Sequence, residues 1–185
     1  KWELIARDLE SDTERWRHPV GNVAQLCFSP DGSEISVAVN YTTWEIRSPQ
    51  TGKVIWQNSD LQWSQVHYSP SGKRVAALTM NHVCIFDRQS RKILHQIPLT
   101  GTTGAAGFTH DDERLAVASL AQVIVFDADR GRVVLELNNP HMHMKQLSFS
   151  RQGDLHAAGG SIYHSLVVWL VQSKGWRPMQ PVPTK

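Results

Sequence analysis

Phe28-Ser29-Pro30-Asp31-Gly32 decides how this chain is read, because it returns three more times in altered form. Tyr68-Ser69-Pro70-Ser71-Gly72, Phe108-Thr109-His110-Asp111-Asp112 and Phe149-Ser150-Arg151-Gln152-Gly153 follow, their leading aromatics 40, 40 and 41 residues apart. A fixed period of this length marks one supersecondary unit repeated in tandem. Each copy runs an apolar segment into a turn, where Pro fixes one dihedral and Gly accepts positive φ.

Working outward, Ile35, Val37 and Val39 alternate with Glu34, Ser36 and Ala38, the period of a strand with unlike faces. A turn at Asn40-Tyr41, a third strand over 42–47, a turn at 49–52 and a fourth strand over 54–57 complete the unit. Two further units repeat this order, and a fourth runs to Leu170. Ahead of them, 2–8 and a short strand ending at Trp16 read as the second half of a unit, with 18–22 as a Pro/Gly loop. Four short strands per repeat and no helical period predict an all-β fold, a β-propeller with about 4.5 four-stranded blades visible. The expected segments are a half blade (its last two strands) at 1–22, blades at 23–62, 63–102, 103–142 and 143–178, and a Pro-rich tail at 179–185. A leading half blade, and the strongly apolar 166–170 that a closed four-bladed ring would leave surplus, fit the C-terminal part of a seven- or eight-bladed ring. Two paired chains are the other option. The chain opens on Lys1 rather than Met, so upstream blades or domains of the same polypeptide are expected.

Bulk properties exclude several classes. Hydrophobic residues make up 41% and charged residues 19%, a globular balance. The 19 basic and 17 acidic residues are interspersed and leave +2, so neither nucleic acid nor a membrane is expected as partner. The longest apolar run, 166–171, is far short of the roughly 20 residues that span a bilayer. Cys27 and Cys84 fall at different places in different units and read as free thiols, which points to a reducing, cytoplasmic setting.

The order Phe-Ser-Pro-Asp-Gly, alternating strand, turn, then Ile85-Phe86-Asp87 or Val125-Phe126-Asp127 resembles the WD-repeat family over residues 23–171. That resemblance implies a propeller that captures proteins on loops joining fourth to first and second to third strands. The chain departs from the family pattern. Pro19, Ser59, Leu99 and Pro140 stand where a Gly-His pair is usual, and Tyr41, Asn81, Ala121 and Ile162 where a turn Asp is usual. Of the closing Trp only Trp169 remains, with Ile46, Phe86 and Phe126 elsewhere, so apolar packing is expected to hold the blades. A second resemblance is to the tryptophan-docking motif of quinoprotein-type propellers, through Ala6-x-Asp8-x-x-Ser11-x-x-x-x-Trp16 and Thr51-Gly52-Lys53-x-x-Trp56. It implies Trp docked on the neighbouring blade. It also brings the alternative of a periplasmic enzyme or assembly factor.

No catalytic constellation emerges, and the expectation is a non-catalytic scaffold or sensing module with no cofactor and no metal. His141-x-His143 is the closest histidine pair but has no third donor nearby, so it reads as an exposed loop. The run His110-Asp111-Asp112-Glu113 reads as a solvated turn. The loops that would meet a protein or peptide hold Tyr41, Trp63, His82, Gln122, His141, His143 and Tyr163, with the aromatics as anchors. For Trp63 and Tyr41, packing between blades is the competing role.

Overall fold

The computed structural model describes residues 2–101, 103–119, 122–138, 143–151, 154–160 and 166–171. Among these there are strands, turns and bends but no helix. The strands make five antiparallel sheets, each a meander of sequence neighbours. β1 (Trp2–Arg7) and β2 (Glu14–Val20) pair alone. The first four-stranded sheet holds β3 (Val23–Phe28), β4 (Ile35–Val39), β5 (Thr43–Arg47) and β6 (Val54–Asn58). The second holds β7 (Gln65–Tyr68), β8 (Arg74–Leu78), β9 (His82–Asp87) and β10 (Ile93–Pro98). The third holds β11 (Thr103–Phe108), β12 (Arg114–Ser119), β13 (Gln122–Asp127) and β14 (Arg132–Asn138). β15 (His143–Phe149), β16 (Leu155–Gly160) and β17 (Leu166–Val171) form a three-stranded sheet.

The sheets stack face to face because their middle strands are apolar on both sides. In β8, Val75 and Ala77 pack toward the first sheet, while Ala76 and Leu78 pack toward the third. Trp44, Trp63 and Phe86 meet edge-on between the first two sheets, with Trp44 and Phe86 ring centroids 5.0 Å apart. Each such ring contributes about 1.5–3 kcal/mol by leaving water. Leu155 and Leu147 close the gap between the third and last sheets.

The outer strands solve a different problem. β6, β10 and β14 are sheet edges, and each carries one extra residue opposite its partner: Ile55, Leu94 and Val134. Such bulges twist an edge strand out of register for pairing with another molecule. The bulges turn two adjacent apolar side chains outward, which explains the exposure of Val54-Ile55, Ile93-Leu94 and Val133-Val134.

Four expectations change. β2 runs through Pro19, which pairs with Glu3, so 18–20 is strand and not loop; Pro is tolerated because β2 is an edge. His143 pairs with Gly160 inside β15 rather than lying in a loop. The register sets Arg47, Phe86 and Phe126 opposite Ile35, Val75 and Leu115, so Ile46 is not the counterpart of the two Phe residues. Trp169 pairs with Ala157 and stands two residues from the corresponding position, because Leu155 faces Val171. Polar contacts also join the sheets beside the apolar packing. Residues 172–185, which include the end of the expected last blade and the tail at 179–185, lie outside the described residues.

Candidate binding face and axial cavity

The inner strands β3, β7, β11 and β15 lie side by side around one cavity of about 550 Å³. β3, β11 and β15 each carry a bulge near their start, at Ala24, Gly104 and Lys145. In β7 the Ser64 N–H reaches the Leu78 carbonyl at 2.8 Å although Gln65 is the residue paired with Leu78. A bulge re-aims the side chain that follows it. That residue is Gln25, Gln65, Ala105 and Gln146, four positions that line the cavity. Gln25 Oε1 accepts the Val66 N–H, and Gln65 Nε2 donates to the Gly104 carbonyl at 3.0 Å, so each ties its strand to the next sheet. Ala105 breaks the series where the strands come closest: a Cβ on Gly107 would lie 3.3 Å from the Leu147 carbonyl oxygen.

Among the described residues the cavity lining contains no Asp, Glu, Lys or Arg. The His67 ring lies with Nε2 3.1 Å from Gln65 Oε1, and burial lowers its pKa to about 4. The neutral ring, donating from Nε2, satisfies that contact.

Tyr41, Gln62 and Met80 also line this cavity, and Tyr41 and Met80 are 54% and 57% exposed. Tyr41 sits in the β4–β5 turn, where the Thr42 N–H bonds the Val39 carbonyl at 3.1 Å. Both central residues have positive φ, 53° at Asn40 and 57° at Tyr41. Hairpin turns of this kind favour Asn followed by Gly. Asn40 fits, accepting the Asn22 N–H at 2.8 Å, whereas a Tyr held in the left-handed region costs about 1 kcal/mol.

A second cavity of about 390 Å³ shares Gln62 and Met80 and is also lined by Asp60, Asn81 and His82. The structure therefore brings Tyr41 and His82 to neighbouring hollows on one face. Gln122, at the matching place in the third sheet, donates from Nε2 to Thr100 Oγ1 at 3.0 Å. Trp63 corrects the expectation: it is 1% exposed, inside the core between the first two sheets, with Nε1 donating to Asn58 Oδ1. It is unavailable to a partner. His141 and Tyr163 lie outside the described residues. Sequence reading missed the glutamines and Met80. The signal was there: Gln stands three residues before the repeat aromatic in three of four copies. A search for titratable or nucleophilic groups passes over it.

The opposite face is built from charge. Arg88 Nη1 and Nη2 donate to Asp31 at 2.9 and 3.0 Å, and Nε to Glu34 at 3.1 Å. Arg91 pairs with Glu34 as well and lies over the Trp56 ring. Burial alone would raise the Glu34 carboxyl, but Arg91, Tyr68 and Arg88 together hold it below its ordinary value. The Arg88 and serine donors hold the Asp31 carboxyl far below its own. One sheet on, Asp112 takes Ser69 Oγ at 2.8 Å and the Ser71 N–H at 3.1 Å. Within 110–113 this corrects the solvated-turn reading for Asp112 alone, which is only 8% exposed, while His110, Asp111 and Glu113 are exposed as expected. Asp112 occupies the turn position held by Gly32 and Gly72, at φ 63°.

The same face carries the docking contacts. Trp16 Nε1 donates to the Pro49 carbonyl at 2.7 Å, and a Cβ on Gly52 would run into the Trp16 and His18 rings. His95 repeats this two sheets later, with Nε2 2.7 Å from the Asp129 carbonyl and its ring against Gly131.

No family model matches the chain. A sequence comparison with curated proteins also finds no match. Solved structures do match, among them the hydrazine synthase of Kuenenia stuttgartiensis, a β-propeller-containing protein. The TM-score is 0.71 at 17% identity, over 84% of this chain and 48% of that one. The fold is that of a β-propeller. This chain spans about half the length of the structure it matches. Since 1332 solved chains match, the propeller architecture alone identifies no chemistry.

Proposed function

We propose that this propeller is a non-catalytic interaction module that receives a protein or peptide on the face carrying Tyr41. The observation that carries the reading is Tyr41 itself: a large aromatic, half exposed, kept at a left-handed position that Gly fills without strain. Strain retained at an exposed aromatic is the mark of a residue kept for what it touches. Met80 beside it offers an adaptable apolar contact, and Tyr side chains anchor well in partner pockets. Free Cys27 and Cys84 fit a reducing compartment.

The test is a photo-crosslinking residue placed at Tyr41, at Met80 and, on the opposite face, at exposed Lys73. Adducts in cell extract from 41 and 80 but not 73 are expected. Adducts from 73 alone, or from none, overturn the reading.

One observation favours a second reading. The docking of Trp16 on Gly52 sides with quinoprotein-type propellers rather than WD repeats, and the register leaves no described unit with Trp opposite the Ile35-type position. In that reading the chain is a propeller within a periplasmic enzyme. An absorption band above the tryptophan region in the purified protein would favour it.

A further inference from the structure

We propose that the axial cavity accepts an uncharged amide side chain, Asn or Gln, from the partner that docks over Tyr41. The inference rests on the protein-binding reading for the source of that side chain, and on the cavity alone for its chemistry. At about 550 Å³ the cavity has the size of ligand pockets in general. Its polar lining is amide and hydroxyl: Gln25, Gln62, Gln65, Gln146 and Ser64. An amide presents donor and acceptor together, as an incoming amide requires. Gln25 uses its oxygen on the Val66 N–H, which leaves its NH2 group for a ligand oxygen. Gln62 and Gln146 make no hydrogen bond to another described residue and are free to turn toward a ligand.

The lining equally says what is refused. A carboxylate or ammonium entering would give up part of its hydration with no opposite charge among the described lining residues to replace it. His67 offers no compensation because its buried ring stays neutral near pH 7. The contrast with the rest of the chain is sharp, since 19% of all residues are charged and the opposite face is laced with ion pairs.

The experiment is a titration of the isotope-labelled chain with three probes: N-acetylglutamine amide, N-acetylglutamate amide and N-acetyllysine amide. Side-chain amide signals of Gln25, Gln65 and Gln146 and the Met80 methyl report binding. Saturable shifts with the glutamine probe, at least tenfold weaker for both charged probes, are expected. Gln146→Leu removes an exposed amide with no hydrogen-bond partner among the described residues, so it should leave the fold intact and weaken the glutamine probe at least threefold. Equal or tighter binding of a charged probe overturns the inference, as does the absence of saturable shifts up to the probes' solubility limits. If these fail while position 41 still crosslinks, the inference falls and the protein-binding reading stands. If the glutamine probe binds selectively but position 41 gives no adduct, the reading falls and the cavity's selectivity stands.

Discussion

On one face of the blades, Arg88 holds Asp31, Glu34 and Ser33 while Asp112 gathers Ser69 and Ser71. On the other, Tyr41 and Met80 project over a cavity lined by glutamines and alanines. The first face spends its polar groups on neighbouring blades. The second uses Gln25 and Gln65 between strands but leaves the side chains of Gln62, Gln146 and the exposed Tyr41 and Met80 without a hydrogen bond to another described residue, and strains its backbone at Tyr41. The difference divides the molecule into a face that holds the blades in place and a face free to meet a partner. Substitutions should follow that division.

The largest loss of stability is expected from Arg88→Ala. Arg88 and Glu34 side chains are only 15% and 12% exposed, so removing the guanidinium takes away both Asp31 contacts and leaves the largely buried Glu34 carboxylate with Arg91 and Tyr68 alone. The loss should be about 3 kcal/mol, read as a fall in the urea midpoint. Gly52→Ala comes next, at about 2 kcal/mol, because φ is +69° and Trp16 and His18 occupy the space. A smaller loss, or a loss of binding in excess of unfolding, would break the assignment of this face to cohesion.

Acid should act on the same face. Asp31 and Glu34 have depressed pKa values in the fold, so the unfolded chain takes up protons first as pH falls. Their stabilisation is present above about pH 4–5 and fades as pH drops toward their folded values. His67 adds an earlier limb: its folded pKa is about 4 against 6.5, so stability declines between those values as the unfolded chain protonates. Thermal unfolding across pH should show the earlier limb disappear in His67→Gln and the later limb remain. Met80→Ser, on the other face, should change stability by no more than about 0.5 kcal/mol and still reduce crosslinking from position 41.

Much of this was legible from the chain alone. Alternation in Ile35–Val39 and the turn residues of Ser29–Gly32 report local backbone preferences, and those set the strands and their order. What was not legible depended on register. The bulges at Ala24 and Ile55 come from how two strands pair, and no single-strand pattern announces them. Trp63 looked like a loop anchor because its burial is created by Trp44 and Phe86, 19 and 23 residues away. Asp112 looked solvated because its partners lie one repeat back. Tyr41 was visible as a turn aromatic, but its left-handed backbone needed coordinates.

Tyr41→Gly tests the central claim most directly, with stability and crosslinking from position 80 measured on the same protein. A residue kept for the partner and strained in its turn gives a split result: stability unchanged or raised by about 0.5–1 kcal/mol, and the adduct lost. A destabilised protein that still forms the adduct would contradict the account, and would make Tyr41 a packing residue and the face around it ordinary surface.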